Sequence, residues 1–182
     1  HLSTRRQRQM CIRDSIRATE KLNFNLDARV MARENKDASI LDGFRNRLTV
    51  NASYIASDTM QIQLSSVVAT EETKTNIQNN RDYSVNATIN KTFNAPLNLI
   101  KDPLSAGLSF GGSFREYAGA NPTIDPDTTR NDYTIRFSPS LTIPVGETIA
   151  ILISAGFTRV DSNIPNSEYD NMSLTIGISK QF

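Results

Sequence analysis

Apolar and polar residues alternate with a period of two along most of this chain. That pattern suits a pleated strand and not a helix, whose apolar positions recur every three or four residues. In 47–56, Leu48, Val50, Ala52, Tyr54 and Ala56 alternate with Arg47, Thr49, Asn51, Ser53 and Ile55. In 83–93, Tyr83, Val85, Ala87, Ile89 and Phe93 alternate with Ser84, Asn86, Thr88 and Asn90, with Lys91 the one break on the apolar side. The segments 21–33, 59–70, 104–114, 133–143, 148–159 and 171–182 read the same way. About eight strands of roughly 10–13 residues follow, and no helix-period stretch competes with them. Soluble strands are usually nearer five or six residues. Strands of roughly ten residues match a tilted bilayer crossing.

The polar sides of these strands carry Ser, Thr, Asn, Gln and Gly, with few lysines. A soluble barrel or sandwich turns its apolar side inward and shows Lys and Glu to water. Small neutral groups suit a confined, hydrated interior, which leaves the apolar side to meet lipid. The fold expected is therefore all-β, an antiparallel up-and-down transmembrane β-barrel. About eight strands of it are present, as the C-terminal part of a larger barrel. Hydrophobic residues make up only 38% of the 182 residues. Strands that expose alternate residues to lipid dilute a hydropathy signal in this way.

The connections agree. Ser57-Asp58 and the Pro144-Val145-Gly146-Glu147 segment make tight turns. Longer polar links span 34–46, 71–82, 119–132 and 161–170. Counting back from a periplasmic C-terminus, every long link falls on the outer side and the tight turns on the other. The exception is 94–103, which is long for a periplasmic turn and contains Leu97, Leu99 and Ile100. Phe24, Tyr54, Phe93 and Phe182 fall at periplasmic strand ends, and Tyr83, Phe114, Tyr133 and Phe157 at outer ends. Such girdles are expected of membrane barrels.

The first fifteen residues, HLSTRRQRQMCIRDS, read as a non-native or disordered tail (1–15) ahead of the barrel domain (16–182). No strand alternation is evident there, and residues 6–15 resemble a sequencing adapter translated in frame. Without Arg5, Arg6, Arg8, Arg13 and Asp14 the formal charge falls from +1 to −2. Nucleic acid is then not expected as a partner.

The chain closes on Thr175-Ile176-Gly177-Ile178-Ser179-Lys180-Gln181-Phe182. This resembles the C-terminal signal strand of bacterial outer-membrane proteins, with Thr175, Gly177 and Phe182 matching. Lys180 departs from it, standing where an apolar or aromatic residue is usual. The resemblance implies recognition by the barrel-assembly machinery and residence in the outer membrane, among membrane lipid and lipopolysaccharide. The last fifty or so residues also resemble barrels fused behind tetratricopeptide repeats, of the surface-lipoprotein assembly modifier type.

Catalytic machinery is not evident. The one histidine is His1 and the one cysteine is Cys11, so histidine-based acid–base chemistry and a cysteine metal cluster lack their parts. The reading is not an enzyme, with no cofactor or metal. The pairs Asp125/Asp127 and Glu71/Glu72 read as solvated loop charge, with a weak Ca²⁺ contact as the alternative. Asp27, Arg29, Arg47, Arg115 and Arg136 fall on the polar side. They serve either as a charge-paired network filling the barrel or as a pore lining that tunes ion preference. The function expected is a channel or secretion/translocation barrel of unspecified cargo. The alternatives are a small structural or adhesive barrel acting through its outer loops, and a soluble lipocalin-like binder whose apolar side lines a cavity.

Overall fold

A computed structural model describes residues 5–35, 39–94, 102–146 and 148–180. It contains one antiparallel sheet of nine strands: β1 (Arg5–Arg17), β2 (Leu22–Asn35), β3 (Gly43–Ser57), β4 (Met60–Thr73), β5 (Asn80–Phe93), β6 (Leu104–Tyr117), β7 (Asn131–Pro144), β8 (Ile149–Ser162) and β9 (Tyr169–Lys180). The strands lie in chain order, each paired with its sequence neighbours. The sheet is not closed: β1 and β9 are its edges. Among the described residues, two short 3₁₀ turns, Ser39–Leu41 and Pro165–Ser167, sit in the connections.

All eight strands expected from the alternation are present as β2–β9, and the up-and-down antiparallel order is as expected. Two expectations need correction. First, the strands are longer, reaching 15 residues in β3. The long links shrink accordingly, so that only 74–79 separates β4 from β5. Ladder hydrogen bonds come from the backbone, so pairing runs on past the last apolar residue. Second, β1 occupies most of the segment read as a tail. An open edge pairs with almost any extended backbone. Met10, Ile12 and Ile16 do share one face of β1, opposite Val30, Ala28 and Phe24; Asp14, on that same face, hides the period. The link 94–103 falls largely on residues outside those described.

The tight turns sit where expected, between β3 and β4 and between β7 and β8. Gly146 has φ +77, a left-handed conformation that a side chain would strain. Pro139 lies inside β7, and the β7–β8 ladder skips there from Phe137↔Phe157 to Ser140↔Ser154. A residue without an N–H accounts for the gap.

The register gathers the apolar residues on one face, and that face is open. One row of register partners crosses the whole sheet as Ile16, Phe24, Ala52, Leu64, Ala87, Phe110, Phe137, Phe157 and Met172. Leu48, Ile89 and Leu108 are about 40% exposed and Ile176 is 68% exposed. No described side chain is fully buried, and the sheet has no apolar interior. The polar side is the more crowded one. A Cβ on Gly107 would come within 2.5 Å of the Ser140 hydroxyl, and one on Gly111 within 2.6 Å of the Asn86 carboxamide. Side chains converge in this way on the inner side of a curled sheet.

The strands are also staggered. Phe24 lies two residues from the short-turn end of β2 at Leu22, and Met172, in the same row, eight from that end of β9 at Lys180. From the opposite ends, Asn35 and Tyr169, the distances are eleven and three. The row therefore drifts by six to eight residues over seven strand steps, about one residue per strand. With a rise of about 3.4 Å per residue and a spacing of about 4.8 Å between strands, that is a slope of roughly 35°.

Backbone approach sets one sharp expectation. A Cβ on Gly43 would collide with the Glu72 carbonyl, whereas one on Gly177 meets nothing within 4 Å. Gly43→Val should destabilise the fold by about 1–3 kcal/mol, with Gly177→Val near neutral. Equilibrium unfolding in urea, followed by far-ultraviolet circular dichroism, distinguishes the two; equal costs would contradict the register.

Candidate functional site

The polar face is where chemistry-bearing residues converge. Its neutral part is a ladder of small hydrogen-bonding groups. Gln61 Nε2 donates to Ser53 Oγ at 2.9 Å. The Thr88 and Ser109 hydroxyls lie 3.1 Å apart, and Ser109 Oγ donates to Asn86 Oδ1 at 3.2 Å. These groups occupy alternate positions of adjacent strands, which is why the period-two sequence brings them together.

Asp27, Arg29, Arg47, Arg115 and Arg136 all lie on this face. Four of them belong to two groups. Asp27 is buried and accepts from Arg29 Nε at 2.6 Å and from Arg13 Nε at 3.3 Å. Arg47 stands directly opposite Arg29 in the register. Arg115, on β6, donates to Asp82 of β5 at 3.0 Å. One row of register partners carries Arg29, Arg47, Ala69, Asp82, Arg115 and Asp132 in succession, so the two groups lie along one line across the sheet. Arg136 is exposed, in another row, opposite Gly111.

Several charged members were not singled out from the sequence. Arg33 Nη1 donates to Glu71 Oε1 at 3.0 Å, although β2 and β4 are not neighbours. It reaches across Gly43, its cross-strand partner, which offers no side chain in the way. Asp132 is buried and paired with Arg130 at 2.7 Å. Arg130 also lies over the Tyr117 ring, 5.1 Å from its centroid. The hydrogen bond to Asp132 holds the Arg130 guanidinium above its usual range. Asp82 and Asp132 fall just outside the expected strands 83–93 and 133–143. Extending the alternation by one residue at each would have placed both on this face.

The carboxylate pairs separate. Glu71 and Glu72 are consecutive strand residues on opposite faces. Asp125 accepts the Asp127 backbone N–H at 3.0 Å, and that bond, with Thr128, pulls its carboxyl below the usual range. Thr175 and Gly177 lie on the polar face of β9, and Phe182 lies outside the described residues.

The long connections form a tied rim. Asn163 Nδ2 donates to the Thr129 carbonyl at 2.7 Å, and its Oδ1 accepts from the Asn131 N–H at 2.7 Å. Ala118 N–H donates to the Asn79 carbonyl at 2.9 Å. A small cleft of about 160 Å³ opens there, lined by Tyr117, Asn121, Ile124, Thr128 and Arg130 among others. On the outer face near that rim, Phe114 and Tyr133 lie 4.7 Å apart between ring centroids, in the row of Tyr83. Phe157 sits deeper, paired with Phe137.

No family model matches the chain, and no curated protein is significantly similar to it. The face is therefore read on its own chemistry. It can hydrate solutes and hold charge at fixed positions.

The Asp82–Arg115 pair is half-exposed, so solvent screens it. A double-mutant cycle with Asp82→Asn and Arg115→Gln should give a coupling of about 1 kcal/mol that shrinks in high salt. Unfolding curves at low and high ionic strength measure it, and a coupling unaffected by salt would contradict this placement.

Proposed function

We propose that this sheet is part of a bacterial outer-membrane β-barrel, a channel or translocation conduit whose polar face lines a hydrated lumen. On this reading the apolar face meets membrane lipid and lipopolysaccharide. The C-terminal strand, with Thr175, Gly177 and Phe182, serves recognition by the barrel-assembly machinery.

The observation that carries the reading is the path of the apolar band. From β2 onward, the row that continues from Asp14 passes Leu26, Val50, Ser66, Val85, Gly112 and Ile135 and ends on Arg159 and Asp170. The row through Ile176, Ile153, Leu141 and Ala106 reaches Lys91, passes Met60 and runs out on Ser57 beside the β3–β4 turn. The band thus cuts obliquely across the rows, following the strand ends at roughly 35°. A bilayer demands this, because its slab is perpendicular to the barrel axis while the strands tilt by about 35–45°. Lys91 lies two residues from the end of β5 at Phe93, where its stem can carry the ammonium to the interface.

A lipocalin-like binder would need the opposite arrangement, with apolar residues lining a cavity. The exposure pattern favours the membrane over that alternative. Joined outer connections would also serve an adhesive role, but the continuous polar face gives no reason for one.

Two substitutions test the orientation. Phe137→Arg, on the apolar face, should destabilise the barrel in vesicles by about 2–4 kcal/mol, while Ser138→Arg, one residue on, should cost far less. The readout is the gel-mobility difference between heated and unheated protein across a urea series. Purified protein that stays monomeric and soluble without detergent would sink the membrane reading.

A further inference from the structure

We infer that the polar face selects anions over cations. The inference rests on the conduit reading above and adds the sign of the charge that passes. The faces of β2–β9 that point this way carry six arginines, Arg29, Arg33, Arg45, Arg47, Arg115 and Arg136, against four carboxylates, Asp27, Glu71, Asp82 and Asp132. Every one of those carboxylates is already held. Arg29, Arg33 and Arg115 take the first three, and Arg130, from the connection before β7, takes Asp132.

Among the described residues, Arg45, Arg47 and Arg136 have no carboxylate within ion-pair distance. The surplus is positive and fixed. Arg47 also stands directly across from Arg29, a like-charge neighbour that a sheet avoids unless water or an anion lies between.

Two of the three surplus charges share a depth. Arg47 lies four residues from the long-connection end of β3 at Gly43, and Arg136 five from that end of β7 at Asn131. Strand ends follow the same slope as the apolar band, so equal distance from them means equal height in the membrane. Two unpaired guanidiniums at one height, on strands well apart in the sheet, place a positive zone across the path. In a narrow aqueous passage such a ring attracts small anions and repels small cations. Chloride and inorganic phosphate are the chemical class it fits.

The test is the reversal potential of the purified protein in planar lipid bilayers under a potassium chloride gradient. Chloride should be favoured over potassium by about threefold or more. Arg47→Glu with Arg136→Glu should reverse the preference, and Arg47→Gln or Arg136→Gln alone should bring the ratio toward unity. The heated and unheated gel mobilities check that each variant is folded. A conducting wild type with no preference, or a cation preference, overturns this inference and leaves the conduit standing. A ratio unmoved by folded variants also overturns it. Absence of any conductance overturns the conduit itself.

Discussion

Water is a poor neighbour for the outer face of this sheet. Away from the open edges of β1 and β9 the sheet satisfies its backbone internally, but its strands also present lines of Leu, Ile, Val, Phe and Tyr on one side. Burial of such surface contributes roughly 25 cal/mol per Å², so leaving it in contact with water forfeits the main stabilising term of folding. No helix of the described residues covers it, and no second sheet packs on it. The constraint is therefore external. Lipid is the proposed cover, and the slope of the apolar band is the geometric reason for choosing it.

The same constraint organises the other face. Once apolar residues are committed outward, alternate positions point inward, and anything charged there must be paired or hydrated. Asp27, Glu71, Asp82 and Asp132 are paired, each by an arginine. Glycines at 107 and 111 make room for the Ser140 and Asn86 side chains beside them. The polar face is thus a hydrogen-bonded surface with a few fixed charges. It leaves Arg45, Arg47 and Arg136 without a carboxylate in ion-pair distance, and the proposed selectivity follows from this imbalance.

Much of the fold was legible in the chain itself, because a period of two assigns both the strand and the side each residue takes. Leu48, Ile89, Leu108 and Ile176 share the apolar face for that reason, and Asp27, Arg29, Arg47, Arg115 and Arg136 share the other. Strand ends were less legible. Alternation fades where apolar residues stop, yet backbone pairing continues, so Asp82 and Asp132 read as connection residues. β1 was missed because Asp14 breaks its apolar side and because edge pairing asks little of side chains. The Arg33–Glu71 bond was out of reach. It depends on two strands that are not neighbours and on a glycine between them, and no local pattern encodes that.

If the proposal holds, apolar side chains of this sheet meet hydrocarbon while their polar neighbours meet water. The most direct measurement replaces Cys11 by serine, introduces single cysteines at positions 48 to 54 in turn, and attaches a nitroxide to each. Collision rates with oxygen and with a water-soluble nickel chelate are then compared for protein in lipid vesicles. Labels at Leu48, Val50, Ala52 and Tyr54 should favour oxygen, and those at Thr49, Asn51 and Ser53 the chelate, in opposite phase with a period of two. The reverse phase, or the same accessibility along the whole segment, would contradict a membrane-facing apolar side.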